Sequence, residues 1–331
     1  MTQSLMIVMY HYVRPLKGSR YSNLKALELE YFRGQLDFIQ QHCQVVRMEE
    51  VIAAARGQGA LPPKAVLLTF DDGYHEHHEH VLPLLVERGF QGSFFPPACA
   101  VREGRVLDVN KIHFTLASGA NPSDLVSEIF TAMDENRREY GLKDNADYFA
   151  TYSTESRYDD PEVAFIKRIL QKGLPEPLRA PLIDRLFRHF VTEDEKAFAS
   201  ELYMNADQLR ELHAAGMFIG SHGDQHLWLN TLSLDEQRRE IDEGLDFLAE
   251  LGVSTRDWVM CYPYGGYNDS LLTLLREKQC ALGLTIDVGL ADISLDDPLL
   301  LPRLDTNDVP HTPEATLKHY SWMQEAIGIN A

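Results

Sequence analysis

The stretch Ala65-Val-Leu-Leu-Thr-Phe-Asp-Asp-Gly73 decides the reading of this chain. Its apolar run is too hydrophobic to leave one face in water, which is the pattern of a strand in a parallel sheet covered on both sides. The run stops on two carboxylates and a glycine. Far downstream, Gly220-Ser-His-Gly-Asp-Gln-His226 sets two histidines four positions apart. At that spacing both imidazoles can face one way from a single helical turn. Two imidazoles and one carboxylate from a strand end make a facial set that suits a divalent metal with open positions for water and substrate. One Asp of the pair is then left to act as a base. These residues point to a metal-dependent hydrolase.

Working outward, short β-rich runs recur at Leu5–Tyr10, Gly92–Phe95, Met217–Ser221, Trp258–Tyr262, Ala281–Ile286 and Leu299–Leu304. Helical periodicity falls between or after them, at Tyr31–His42, His80–Arg88, Leu234–Leu251, Asp269–Lys278 and Pro313–Ile327. Strand and helix in alternation predict parallel strands joined by crossover helices. The expected fold is α/β, a closed or nearly closed (β/α) barrel of about seven parallel strands, with an open doubly wound sheet as second choice. Residues about 105 to 205 carry helical patterns and no convincing strand, so a helical insertion in one catalytic domain spanning 1–331 is expected. In either architecture, residues at the carboxyl ends of the strands converge on one face. Asp71, Asp72, His222, Tyr262 and Arg303 all fall at or near such ends.

The formal net charge of −19 repels phosphate at long range and disfavours nucleic acid, anionic membranes and polyanionic substrates. Cys43, Cys99, Cys261 and Cys280 show no CxxC spacing, which reads as free, mostly buried thiols in a reducing compartment. The amino terminus has no basic region followed by a long apolar stretch, and no segment approaches the roughly 20 apolar residues of a spanning helix. A cytoplasmic protein without a membrane span is expected. Oligomeric state is not legible.

Thr69-Phe-Asp-Asp-Gly73, the His222…His226 pair and Tyr262-Pro-Tyr-Gly265 together resemble the polysaccharide deacetylases, the NodB-like enzymes of carbohydrate esterase family four. The resemblance runs from Met9-Tyr10-His11 to Pro302-Arg303 and leaves out the insertion. It implies a deformed barrel, removal of N- or O-acetyl groups from sugars, and a divalent metal, Zn²⁺ first, with Co²⁺, Ni²⁺, Mn²⁺ or Fe²⁺ open. Position by position it implies Asp71 as catalytic base and Asp72, His222 and His226 as metal ligands. It also implies that the backbone N–H of Tyr264 is an oxyanion donor. The chain departs from the pattern in two places. Cys261-Tyr262 stands where an Arg usually precedes the Pro-Tyr pair, and no clear match supplies the general acid. Arg303 is the expected substitute for orienting Asp71. His11, or less favourably His311, is the expected acid.

Other readings stay open. A carbohydrate or a small-molecule amide is the substrate class; a cyclic amide or imide could be opened on the same fold. A degenerate relative would bind carbohydrate without turnover, and a His/His/Asp iron oxygenase would lack a role for the second Asp. His75-Glu-His-His-Glu-His80 mimics a metal-binding run but is expected to form a solvated face. Leu107–His113 reads equally as a segment reaching the substrate or an ordinary helix junction. Tyr10, Tyr12, Tyr264, Tyr267 and Trp228 are candidates for stacking on sugar faces or for plain packing.

Overall fold

The computed structural model describes residues 3–154, 159–315 and 317–328. All seven anticipated strands are present: β1 Ser4–Tyr10, β2 Ala65–Asp71, β3 Gly92–Phe95, β4 Phe218–Ile219, β5 Val259–Cys261, β6 Leu282–Val288 and β7 Leu301–Asp305. Their hydrogen-bonded order is β4-β3-β2-β1-β7-β6-β5, and every pairing along this path is parallel. The two ends of the path meet through a single parallel bridge, Ser221 to Met260. Closure by one bridge, with β4 only two residues long, is what deforms the barrel. Gln44–Val45 adds to β2, and Ala291–Asp292 pairs antiparallel with β1.

The helices are α1 Leu29–His42, α2 Met48–Ala55, α3 Leu82–Arg88, α4 Ala98–Arg102, α5 Asp108–Ala117, α6 Pro122–Tyr140, α7 Asn145–Tyr152, α8 Pro161–Arg168, α9 Glu176–Phe190, α10 Glu195–Leu202, α11 Ala206–Ala214, α12 Leu234–Glu250, α13 Asp269–Glu277 and α14 Ser321–Ile327. The pattern at Pro313–Ile327 forms a regular helix only from Ser321, and residue 316 of it lies outside the described residues. No helix among the described residues is long and apolar enough to cross a membrane.

The chain divides into two compact units. The first holds residues 1–15, 26–104 and 200–331 and contains the whole barrel. Here the period-2 rule of strands sorts the core. Leu5, Ile7, Ala65, Leu67, Val259, Cys261, Leu284 and Leu301 gather in one inner cluster. Met6, Val8, Val66, Leu68, Phe70 and Leu304 face outward against α1, α3 and α11. The second unit holds residues 16–25 and 105–199. Its core packs Ile112, Leu125, Ile129, Phe165, Ile169 and Leu186 from α5, α6, α8 and α9. Lys111 is buried there against Asp184 at 2.6 Å and Glu195 at 2.9 Å. Those pairings account for Lys111, and residues 108–113 form the start of α5.

Candidate active site

Period-2 alternation carries Asp71 and Arg303 into the barrel. Asp71 follows Ala65, Leu67 and Thr69 on the inner face of β2, and Arg303 follows Leu301 on β7. Arg303 stands in mid-strand rather than past the strand end. Its Nη1 donates to Asp71 Oδ1 at 3.0 Å and its Nη2 to Asp71 Oδ2 at 2.8 Å. Nε donates to the Thr285 carbonyl at 2.8 Å, and Nη1 also reaches Thr69 Oγ1 at 3.2 Å. The guanidinium is thus fixed by partners on two other strands, β2 and β6. Two parallel N–H···O bonds lock the plane of the Asp71 carboxylate. Burial alone would raise the Asp71 carboxyl, but Arg303, with help from His11 and His222, outweighs it and holds the group below its ordinary value. Asp71 is therefore ionised in the folded protein.

Asp72 follows directly and turns the other way, with φ at 67°. Tyr74 donates its hydroxyl to Asp72 Oδ2 at 2.5 Å. The other oxygen, Oδ1, is buried and has no hydrogen-bond partner among the described residues. It lies 3.4 Å from His222 Nε2 and 3.3 Å from His226 Nε2. Donors roughly 2.0–2.1 Å from one ion at tetrahedral angles stand about 3.4 Å apart. The three atoms therefore fit a shared divalent cation, and the orphaned oxygen has no other evident use. His222 Nδ1–H donates to the Cys261 carbonyl at 2.7 Å, which leaves Nε2 to face Asp72. Burial resists ionisation of Asp72, but the two imidazoles overcome it and keep the carboxyl well below its usual range. Asp71, His222 and Cys261 form a second cluster of ligand types. The buried Arg303 cation beside Asp71 opposes an ion there.

The helical turn expected for His222…His226 is not found. The segment is a loop, because Gly223 and His226 both adopt positive φ, 74° and 55°, which no α-helix accommodates. Tyr264, at φ 56°, is a third residue of this kind. Its ring meets His226 edge-on at 4.6 Å and stacks on Trp228 at 4.6 Å. Non-glycine residues at positive φ cost about 1–3 kcal/mol each and cluster at functional sites. Among the described residues six such positions occur, and three of them, Asp72, His226 and Tyr264, surround this cluster.

His11, just past β1, has Nε2 3.8 Å from Asp71 Oδ2 with its side chain 41% exposed. His311 instead stacks on Tyr31 of α1. The solvated face expected of His75–His80 is only partly present. His75, His78 and His80 are half-buried, whereas His77 is fully buried. His77 Nε2 bonds the His11 carbonyl at 2.7 Å. Burial pushes its pKa down to about 4, so it is a neutral core residue. Tyr10 and Tyr12 are not sugar platforms either. Tyr10 stacks on Phe70, and Tyr12 stacks on Tyr74 at 4.1 Å, both buried. Tyr262 is buried and bonds the Leu299 carbonyl at 2.8 Å. Sequence reasoning missed Tyr74, although it directly follows the Asp-Asp-Gly turn. All four cysteines are free thiols, with Cys99 and Cys261 buried and Cys43 and Cys280 partly so.

A parallel barrel with a buried Asp/His/His group beside a second, arginine-clamped Asp at its carboxyl face defines the class. The polysaccharide deacetylase family model matches residues 58–130 and 189–286, together just over half of the chain, and the chain belongs to that family. No curated protein matches it. Among solved structures it is similar to the Streptococcus pyogenes deacetylase PplD in complex with acetate: 17% identity, 98% of this chain and 99% of that one covered, TM-score 0.59. It is similar to IcaB from Ammonifex degensii at 20% identity, 97% coverage of each chain and TM-score 0.55. A de-N-acetylase from Aggregatibacter actinomycetemcomitans gives 15% identity, 98% and 99% coverage and TM-score 0.53. At these identities the likeness shows the fold.

Proposed function

We propose that this chain is a metal-dependent hydrolase that removes an acetyl, or another acyl, group from an amino sugar within a glycan or glycan intermediate. The observation that carries the reading is the orphaned Asp72 Oδ1 facing His222 Nε2 and His226 Nε2, with ionised Asp71 alongside. Asp72, His222 and His226 would hold the ion. When bound, a divalent ion polarises an acyl carbonyl and lowers the pKa of water toward roughly 7.

The remaining work belongs to the chain. Asp71 Oδ2 accepts a proton from the attacking water, and the Arg303 clamp keeps that oxygen ionised and aimed. The backbone N–H of Tyr264, whose ring meets His226 edge-on from the strained loop Pro263–Gly265, serves the developing oxyanion in this reading, where one pointed donor is worth about 3 kcal/mol. His11, half exposed and 3.8 Å from the same Asp71 oxygen, returns a proton to the leaving nitrogen. The reading takes Zn²⁺ as the working ion. The family's description favours a sugar polymer as substrate.

An acetate-release assay on N-acetylated glucosamine oligomers, with and without chelator, tests this. Release that stops with chelator and returns with Zn²⁺ supports it. Ring opening of a cyclic imide without acetate release, or sugar binding without turnover, would replace it. For His11, an unchanged rate and pH profile in His11→Ala would remove it from the mechanism.

A further inference from the structure

The loop between the two histidines has no helix to hold it, so something else must. Its backbone groups are bound one by one. Gly223 and Asp224 give their carbonyls to the N–H groups of Ala98 and Cys99 at 3.3 and 3.0 Å. Gly223 N–H reaches Ser221 Oγ at 3.3 Å. The next two N–H groups, of Asp224 and Gln225, both donate to one atom, Glu240 Oε2, at 3.1 and 3.0 Å. Glu240 lies on α12, 14 positions beyond His226, and is 6% exposed.

Two further features, one on α12 and one in the loop, show that the two are shaped for this contact. Gly244 lies one turn on from Glu240, on the same helix face. A Cβ there would come within 2.8 Å of Ser221 Oγ, so its absence lets the helix close on the loop. Gly223, at φ 74°, would bring a Cβ to 3.2 Å from Glu240 Oε2. Two successive N–H groups converge on one oxygen, and here that acceptor is supplied by the chain itself.

We infer that Glu240 is a positioning residue for the metal centre, clamping the Gly223–Gln225 backbone so that His222 and His226 hold their facing arrangement before an ion arrives. The inference rests on the proposed metal site. Without the clamp, the loop would have to be ordered by the ion itself, and part of the binding free energy would be spent on that ordering. The acceptor atom matters rather than the charge, since an amide oxygen can take the same two bonds. Glu240→Gln should therefore behave as wild type while Glu240→Ala should not.

The test combines two measurements on the full chain. Zn²⁺ affinity is measured by chelator competition, and backbone amide exchange is followed at Asp224 and Gln225 in metal-free protein. The expected results for Glu240→Ala are 10- to 100-fold weaker Zn²⁺ binding, faster exchange at those two amides, and turnover that recovers at saturating Zn²⁺ with unchanged KM. Glu240→Gln should restore affinity and protection. Glu240→Ala with wild-type affinity and exchange, or with only a lowered melting temperature, would overturn the positioning role. Failure of the wild-type chain to bind Zn²⁺ would overturn the site reading beneath it, and is told apart because it appears without any substitution.

Discussion

The two aspartates of Asp71-Asp72 are neighbours in sequence but are held by opposite means. Asp71 ends a regular strand and is gripped by Arg303 from another strand, in a place where alternation alone puts both side chains. On the metal side Asp72, His226 and Tyr264 instead sit at positive φ; Tyr74 holds Asp72, the Cys261 carbonyl holds His222, and Glu240 of α12 holds the backbone between the two histidines. The barrel wall supplies the base side from regular strand backbone. The metal side is built from strained backbone and needs props. That difference predicts where substitutions will harm chemistry and where they will harm ion binding.

The largest separation comes from Asp71→Asn. It should lower turnover roughly 100- to 10,000-fold, the usual reach of a general base, while Zn²⁺ binding measured by equilibrium dialysis stays at the wild-type level. Loss of the ion together with turnover would break the division between the two sides. Next is Arg303→Leu, which leaves the buried Asp71 charge uncompensated. Removal of one partner of such a pair costs about 3–5 kcal/mol, to be read from denaturant unfolding. A change under 1 kcal/mol would mean that the clamp is not what holds the base side.

His77 sharpens the same side through pH. Its folded pKa is depressed to about 4 from an ordinary 6.5, so between these values the unfolded chain binds more protons than the folded one. Its contribution to stability is complete above pH 6.5 and is lost as pH falls toward 4, by roughly 3 kcal/mol. The fall in unfolding free energy from pH 7 to 4.5 should be smaller by about that amount in His77→Gln. Equal falls would contradict a neutral buried imidazole. The smallest effect belongs to a prop of the metal side. Tyr74→Phe frees Asp72 Oδ2 to rotate and should weaken Zn²⁺ binding about 10- to 100-fold, with little change in kcat once the site is saturated.

The comparison also explains what the sequence could reveal. Ala65–Asp71 and Leu299–Leu304 disclose their strands through apolarity, and the alternation Leu67, Thr69, Asp71 already places the base inside. Arg303 could be nominated from its place at the end of the last predicted strand and from the missing Arg before Pro263-Tyr264; its mid-strand position, two residues on from Leu301, comes from the structure. The loops obey no such period. The four-residue spacing of His222 and His226 matches a helical turn, yet Gly223 and the positive φ of His226 make it a loop. Glu240 leaves no local mark, because its role exists only after α12 packs on that loop. His77 was hidden within a polar run whose composition pointed to solvent. Only tertiary packing distinguishes it from His75 and His78.

The central claim is that Asp72, His222 and His226 share one cation. Its most direct measurement is the Zn²⁺ content of the Asp72→Asn chain beside wild type, after equilibration with excess Zn²⁺ and removal of the free ion. The account predicts one ion per wild-type chain and none in the variant, with both folded. Equal metal content in the two would contradict it.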